Sequence, residues 1–395
     1  MDVMLVTIVF PWPSEAYAGV EVRALQAAGA RVRVRTLRAH HPRARELLRD
    51  WQLSGVDLEI WSGQFALRGL GFMVRHPWMA ASTLGWLVRR GWSCPGLLAR
   101  CLLLIPGLFA IFDECLERPP SVLNLFWGHY PSVLAYMARR WLPEAHVAMS
   151  LNAYDLVYAF PPSLAAAQRV DSLWTIARAN LGAMHAHGLD PGRVHVSYHG
   201  IDLGQVPADC SAKDVNRFVV IARLEENKGV DDAIRAFATV ARDFPGVRLA
   251  IIGEGPDRGR LAGLASEEGV ANRVQFTGGI GHTAVYEYLA ASSVLLLLSR
   301  SPAERLPNAV KEAMACRCLC VVTDTPGIDD LVGHLAEPMV VAQGDWRAGA
   351  DWLDAILREP GRFAADRDAG RSFALENFDA ARIARRRLAV WSQSR

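Results

Sequence analysis

Two glutamates separated by seven residues, Glu304 and Glu312, sit in the stretch SPAERLPNAVKEAMACRCLCVV at residues 301–322. Pro307 and Asn308 lie between them, where a loop would turn into a helix. Proline suits the first helical turn, because its missing N–H would be unpaired there anyway. Residues 309–315 read as that helix and residues 319–322 as a buried strand. The spacing puts Glu304 on the loop ahead of a helix N-terminus and Glu312 in about its second turn. A helix N-terminus offers unpaired N–H groups and partial positive charge, which suit an anion. Carboxylates beside such a site fit an anion that also carries hydroxyls, and a sugar diphosphate is one.

A second set is cationic. Arg223 ends the apolar run RFVVIAR, and Lys228-Gly229 follows just ahead of a predicted helix. Both project from a strand's carboxyl end, where open parallel sheets bind ligands. An arginine fork and a lysine point charge would together hold a diphosphate. Two solvated surface cations are the competing reading. The only lysines are Lys213, Lys228 and Lys311, so a chain that otherwise uses arginine keeps a lysine here. In the first half, His129 follows one predicted strand, and Asn152, Tyr154 and Asp155 follow the next. They are candidates to face a second domain across a cleft, although a lone histidine is more often structural. Cys316, Cys318 and Cys320 share one face of a strand and read as buried small hydrophobes. A straight strand supplies neither the chelating turns nor the fourth ligand of a metal site. No His/Asp/Glu cluster suggests a divalent cation, and no Walker-type glycine loop is present.

These residues need a scaffold. A chain of 395 residues with 51% hydrophobic and 21% charged residues is globular and too long for one compact core, so two domains are expected. A net charge of +2 gives no argument for nucleic acid. Seven irregularly spaced cysteines point to a reducing compartment rather than a disulfide framework. The apolar start MDVMLVTIVF lacks a basic leader and a small-residue cleavage site. The longest apolar run, residues 101–112, is too short to span a bilayer and contains Pro106 and Gly107. The expectation is a cytoplasmic protein, soluble or peripheral to the inner membrane.

Strand, helix and strand follow one another over residues 3–9, 20–28 and 31–37, which is a βαβ unit. Sheet structure resumes at 121–126, 145–151, 171–177 and 193–197. A second α/β series starts at residue 217, with strands at 247–253, 273–277, 293–299 and 319–322. The fold class is therefore α/β, with two Rossmann-like domains. The expected divisions are a first domain at 1–205, a linker at 206–216, a second domain at 217–377 and a C-terminal helix at 378–395. A helical insertion at about 60–115 interrupts the first. Between Glu59 and Asp113 it holds five arginines and no carboxylate, with Trp61, Trp78, Trp86 and Trp92 interleaved. Two readings of residues 60–112 stand side by side: a membrane-surface element, and an insertion with an ordinary solvated face.

Taken together, Arg223, Lys228-Gly229, GEGP at 253–256, VQFTG at 274–278 and Glu304-x7-Glu312 with EAMAC resemble the donor domain of family 4 retaining glycosyltransferases of the GT-B fold. FPWPSE, FWGHYP, NAYD and YHGID occur in the order seen in bacterial members that build surface polysaccharide or lipid-linked glycans. The resemblance covers most of the chain except roughly residues 40–115. It implies that Arg223 and Lys228 grip the donor diphosphate, that Glu304 touches the sugar hydroxyls and that Glu312 bonds the ribose hydroxyls. The N–H groups around Leu306, Pro307 and Asn308 would meet the phosphate, and the backbone near Ile280 the base. The first domain would be the acceptor side, lined by Asn152, Asp155 and His129, the second would bind the nucleotide sugar, and the C-terminal helix would pack back on the first domain. A nucleotide sugar would serve as co-substrate, a glycolipid or glycan as acceptor, with no metal or other cofactor.

The chain departs from the family pattern in three places. Asn152 stands where histidine is usual, Arg305 where glycine follows the first glutamate, and Arg317 and Leu319 where glycine and proline precede the last strand. A non-catalytic GT-B binder and, further off, a nucleotide-sugar epimerase are the alternatives.

Overall fold

The computed structural model describes residues 1–393, with Ser14 by its backbone alone. The chain divides into two units. Residues 1–200 and the helix Ala380–Gln393 form the first, and residues 201–379 the second. The segment expected as a linker, 206–216, falls inside the second unit, and its last three residues already belong to a strand. The expected boundaries at 205 and 378 shift accordingly, because the chain crosses between units at 200/201 and 379/380.

The first unit is built on β1 (Asp2–Thr7), β2 (Arg31–Thr36), β3 (Asp57–Glu59), β4 (Val122–Leu125), β5 (His146–Ser150), β6 (Ser172–Thr175) and β7 (Val194–Val196). They form one parallel sheet in the order β3-β2-β1-β4-β5-β6-β7. The second unit holds β8 (Asp214–Ile221), β9 (Arg248–Ile252), β10 (Val274–Gly278), β11 (Ser292–Leu297), β12 (Leu319–Thr323) and β13 (Val340–Val341). These too are parallel, in the order β10-β9-β8-β11-β12-β13. Both units are Rossmann-like, as expected. Helices cover both faces of each sheet, so its central strands are buried: all six residues of β11 are, the last four of them apolar. Alternate residues of β1 serve opposite faces. Met4 and Val6 enter the core with the insertion helices, Val3 and Leu5 the core with the C-terminal helix.

That helix, Ala380–Gln393, packs against the helix Ala16–Ala27 in the first unit. Trp391 is fully buried edge-on to Trp174. Arg387 is buried with it and donates to Glu21 Oε1 at 2.5 Å.

The insertion forms three helices, Gly63–Arg75, Pro77–Gly91 and Pro95–Glu117. The last corrects the sequence reading of a short apolar run, since it continues for 23 residues through Pro106. By length and composition it could cross a membrane, yet 56% of its most apolar stretch is buried inside this unit. Gly69 explains how closely it is packed. A Cβ there would lie 1.7 Å from the Pro106 carbonyl oxygen, so only glycine lets the two helices meet.

Near its last turn this helix carries Glu114, which is buried and covers the arginine face of β2. The period-two pattern puts Arg33 and Arg35 on that face. Arg33 Nη1 donates to Glu114 Oε1 at 3.0 Å, and Arg35 Nε to Oε2 at 2.6 Å. Asp2 and Asp57 take further arginine donors. Burial works to raise the Glu114 pKa, but Arg35 and Arg33 outweigh it and hold the carboxyl below its ordinary value. A depressed carboxyl contributes stability above its unfolded pKa, near 4.5, and loses it as pH falls through the folded value. Glu114→Ala strands two buried guanidinium groups and should cost about 3–5 kcal/mol in urea unfolding at neutral pH. It should also remove part of the acid-induced loss of stability seen in the wild type below about pH 4.5.

Candidate active site

In a doubly wound sheet the ligand crevice lies at the carboxyl ends of the two strands where the order reverses. In the second unit those strands are β8 and β11. The loop after β8 carries Arg223 and Lys228, and the loop after β11 carries Arg300 and Glu304. The structure brings the two loops together through Lys228, whose Nζ donates to Glu304 Oε2 at 2.6 Å. Ser299 Oγ donates to the same oxygen at 3.2 Å. Both charged side chains are mostly buried, at 16% and 15% exposure. Gly229 makes the approach possible. It sits at φ 62°, and a Cβ there would meet the Leu298 carbonyl oxygen at 1.7 Å. Arg300, which sequence reasoning did not single out, clamps the loops from behind. It reaches Asp231 and Asp232 at 2.8 Å each and the Glu226 carbonyl at 2.7 Å.

Arg223 behaves differently. It is half exposed and pairs with Glu225 Oε1 at 2.6 Å on its own loop. The structure therefore joins Lys228 to Glu304 and leaves Arg223 beside Glu225.

After Glu304 the chain turns into the helix Asn308–Ala315. Pro307 is not in its first turn, as the sequence suggested. It stands one step earlier with extended ψ of 127°, and its carbonyl accepts from Val310 N at 3.1 Å. The amides of Asn308 and Ala309 have no carbonyl one turn before them within the helix, as at any helix start. Leu306 is buried beneath this turn. Arg305 does not point away as an extra cation. Its Nη1 donates to the carbonyls of Pro302 and Glu304 at 2.7 and 3.0 Å, fixing the loop that presents Glu304. Lys311 is buried in the helix. Its Nζ donates to Asn308 Oδ1 at 3.0 Å, and burial pushes its pKa down to about 7 against the pull of Glu312.

Glu312 lies in the second turn and is mostly buried. Its Oε1 is 2.9 Å from His282 Nε2. His282 opens the helix His282–Ala291, two residues after half-buried Ile280. The sequence offered one signal for it, a histidine directly after Gly-Ile-Gly at a helix start, but no partner. Cys316, Cys318 and Cys320 are all buried, but only Cys320 lies in β12. Cys316 and Cys318 belong to the turn between the helix Asn308–Ala315 and that strand, so the three do not share one strand face as expected. Cys318 Sγ donates to the Leu289 carbonyl at 3.0 Å.

In the first unit His129, Asn152 and Asp155 form one buried cluster beyond the ends of β4 and β5. Asp155 organises it. One carboxylate oxygen accepts from the backbone amides of Gly128 and His129, and the other from Asn152 N at 2.9 Å. His129 Nδ1 is 3.1 Å from Asp155 Oδ1, and Nε2 is 2.8 Å from the Tyr158 carbonyl. Both neighbours offer acceptor oxygens, an arrangement that favours the doubly protonated ring. Burial opposes that charge, but Asp155 and the Tyr158 carbonyl outweigh it and raise the histidine pKa. The Asn152 side-chain nitrogen is buried without a hydrogen-bond partner among the described residues. Tyr154, on the same short helix, is half exposed.

Comparison with known proteins bears on this geometry. Residues 209–372 match the family described as Glycosyl transferases group 1. That match lies wholly within the second unit. Among proteins similar to this chain, a phosphatidylinositol N-acetylglucosaminyltransferase component from Arabidopsis thaliana is 32% identical over 158 residues, 38% of this chain and 35% of that protein. The GDP-mannose-dependent alpha-(1-6)-phosphatidylinositol monomannoside mannosyltransferase of Mycolicibacterium smegmatis is 33% identical over 165 residues, 40% of this chain and 43% of that one. The chain thus spans less than half the length of either relative. The solved structure of Anabaena Alr3699/HepE in complex with UDP-glucose matches 100% of both chains, with a TM-score of 0.75 at 16% identity. That likeness shows the GT-B fold.

The His129 pair makes a testable pH dependence. A histidine whose folded pKa is raised contributes stability that is fully present below its unfolded value, near 6.5, and is lost as pH rises through the folded one. Urea midpoints measured from about pH 5 to 9 should fall across that window in the wild type. In His129→Gln the same stretch should be flatter.

Proposed function

We propose that this protein moves a hexosyl group from a nucleoside diphosphate sugar to a hydroxyl of a lipid-linked or polysaccharide acceptor, with retention of anomeric configuration. The observation that carries the reading is the Lys228–Glu304 pair at the switch point, directly ahead of the helix Asn308–Ala315. A departing diphosphate gathers negative charge on its bridging oxygen. Lys228, the first amides of that helix and Arg223 after a side-chain swing supply the positive field that this charge needs. Glu304 accepts hydrogen bonds from the donor sugar and Glu312 from the ribose. The bond from the anomeric carbon to the phosphate oxygen breaks, and the bond to the acceptor oxygen forms on the same face. The acceptor proton passes to a phosphate oxygen and leaves with the nucleoside diphosphate, so no protein base is needed. Asn152, Asp155 and His129 shape the acceptor side.

The acceptor class draws support from the two relatives whose names carry phosphatidylinositol, and the UDP-glucose complex of the solved structure supports a uridine donor. A membrane-surface role draws on the insertion. Leu67, Leu70 and Val74 project outward at i, i+3 and i+7 from the helix Gly63–Arg75, and Trp78 and Trp92 are each 75% exposed. Exposed apolar side chains near Arg89 and Arg90 suit an anionic bilayer surface better than water.

Turnover of UDP-, GDP- and ADP-sugars tests the chemistry. Lys228→Ala and Glu304→Ala should each lower it by roughly 10²–10³-fold. Unchanged turnover in both would remove the site assignment. Co-sedimentation with anionic liposomes tests the surface. It should weaken in high salt and in Arg89/Arg90→Glu, and binding that ignores both would overturn the membrane contact.

A further inference from the structure

We propose that His282 is a positioning residue for donor recognition: it holds the Glu312 carboxylate in the orientation that accepts the ribose hydroxyls. The inference rests on the donor-site reading above and goes beyond it by assigning ribose selectivity to a pair of side chains. Glu312 and His282 arrive from different helices, Asn308–Ala315 and His282–Ala291, which pack together in the second unit. Their side chains are 10% and 16% exposed, buried enough to be fixed and open enough to meet a ligand. Tyr286, one turn on from His282 and itself buried, stands edge-on to the imidazole at 5.1 Å and limits its swing.

The hydrogen-bond inventory gives the direction of the contact. A carboxylate only accepts, so His282 Nε2 carries the proton and donates to Oε1 at 2.9 Å. That bond uses one lone pair. The second oxygen and the remaining lone pair of Oε1 stay available to two neighbouring hydroxyls, the pattern of a ribose 2′,3′-diol. Without His282 the Glu312 side chain regains rotamer freedom and must be ordered again by each ligand. Lys311, adjacent in sequence and buried, is already engaged by Asn308 Oδ1 and does not replace it.

Titration calorimetry separates this role from a merely structural one. Wild-type protein is titrated with UDP, GDP and ADP, and the tightest of them is compared with its 2′,3′-dideoxy counterpart. His282→Ala should weaken the ribonucleotide by about tenfold and leave the dideoxy ligand unchanged. His282→Gln, whose amide N–H reaches the same oxygen, should restore most of the preference. His282→Asn is polar but too short to reach, and gives the same comparison if the alanine variant is poorly folded. Equal weakening of both ligands, or a ribose preference that survives in Ala and Asn, would overturn the positioning role while leaving the donor site standing. A wild type that binds none of the three diphosphates would overturn the donor-site reading and this inference with it.

Discussion

A lysine and a glutamate 76 residues apart meet at 2.6 Å, and the second unit is arranged so that they can. Parallel strands place every loop that follows a strand on one edge of the sheet. The reversal of order between β8 and β11 opens a gap there. Lys228 enters from one side of the gap and Glu304 from the other. An unpaired charge in a mostly buried position would cost several kcal/mol, so each needs the other. Together they keep a cation and an acceptor at the start of the helix Asn308–Ala315, without the flexibility of two exposed side chains. Gly229 supplies the clearance and Arg300 the brace. Replacing either would move the pair before it touched any ligand.

The same rule governs charge elsewhere in the chain. Glu114 is tolerable at the end of an apolar helix because Arg33 and Arg35 surround it, and their burial under that helix is tolerable for the same reason. His129 and Asp155 satisfy one another and the backbone around them. Arg387 ties the returning C-terminal helix to Glu21. These contacts join distant segments within a unit and give the loops at the sheet edges a stiff base. Asn152 breaks the pattern, with a buried side-chain nitrogen that no described residue satisfies. Unpaired polar groups of that kind are uncommon in interiors, and they gather where function sets the residue rather than stability.

Much of this was legible in the sequence because parallel strands buried on both faces announce themselves as apolar runs. The strands read from the pattern, and the helix after Pro307, stand within a few residues of where the pattern put them, while the short edge strands β3 and β13 are not among them. The two glutamates were readable from the helix start between them. Other features depend on contacts that no local pattern encodes. Arg33 and Arg35 show a period of two, but only Glu114, about 80 residues on, explains why that face is buried. Pro106 reads as an interruption, yet tertiary packing carries the helix through it. His282 is marked in the sequence only by a helix start, and its partner Glu312 shows only in the fold. Arg305 stands out in the sequence only as an arginine where glycine is usual, and in the fold it donates to the carbonyls of its own loop.

The central claim is that Lys228 serves the diphosphate and not the fold alone. The most direct measurement is calorimetric titration of wild type and Lys228→Met with one nucleoside, its monophosphate and its diphosphate. A cation aimed at the diphosphate predicts a loss that grows along the series, from none for the nucleoside to about tenfold or more for the diphosphate. A loss of equal size for all three ligands, or none for the diphosphate, would contradict it.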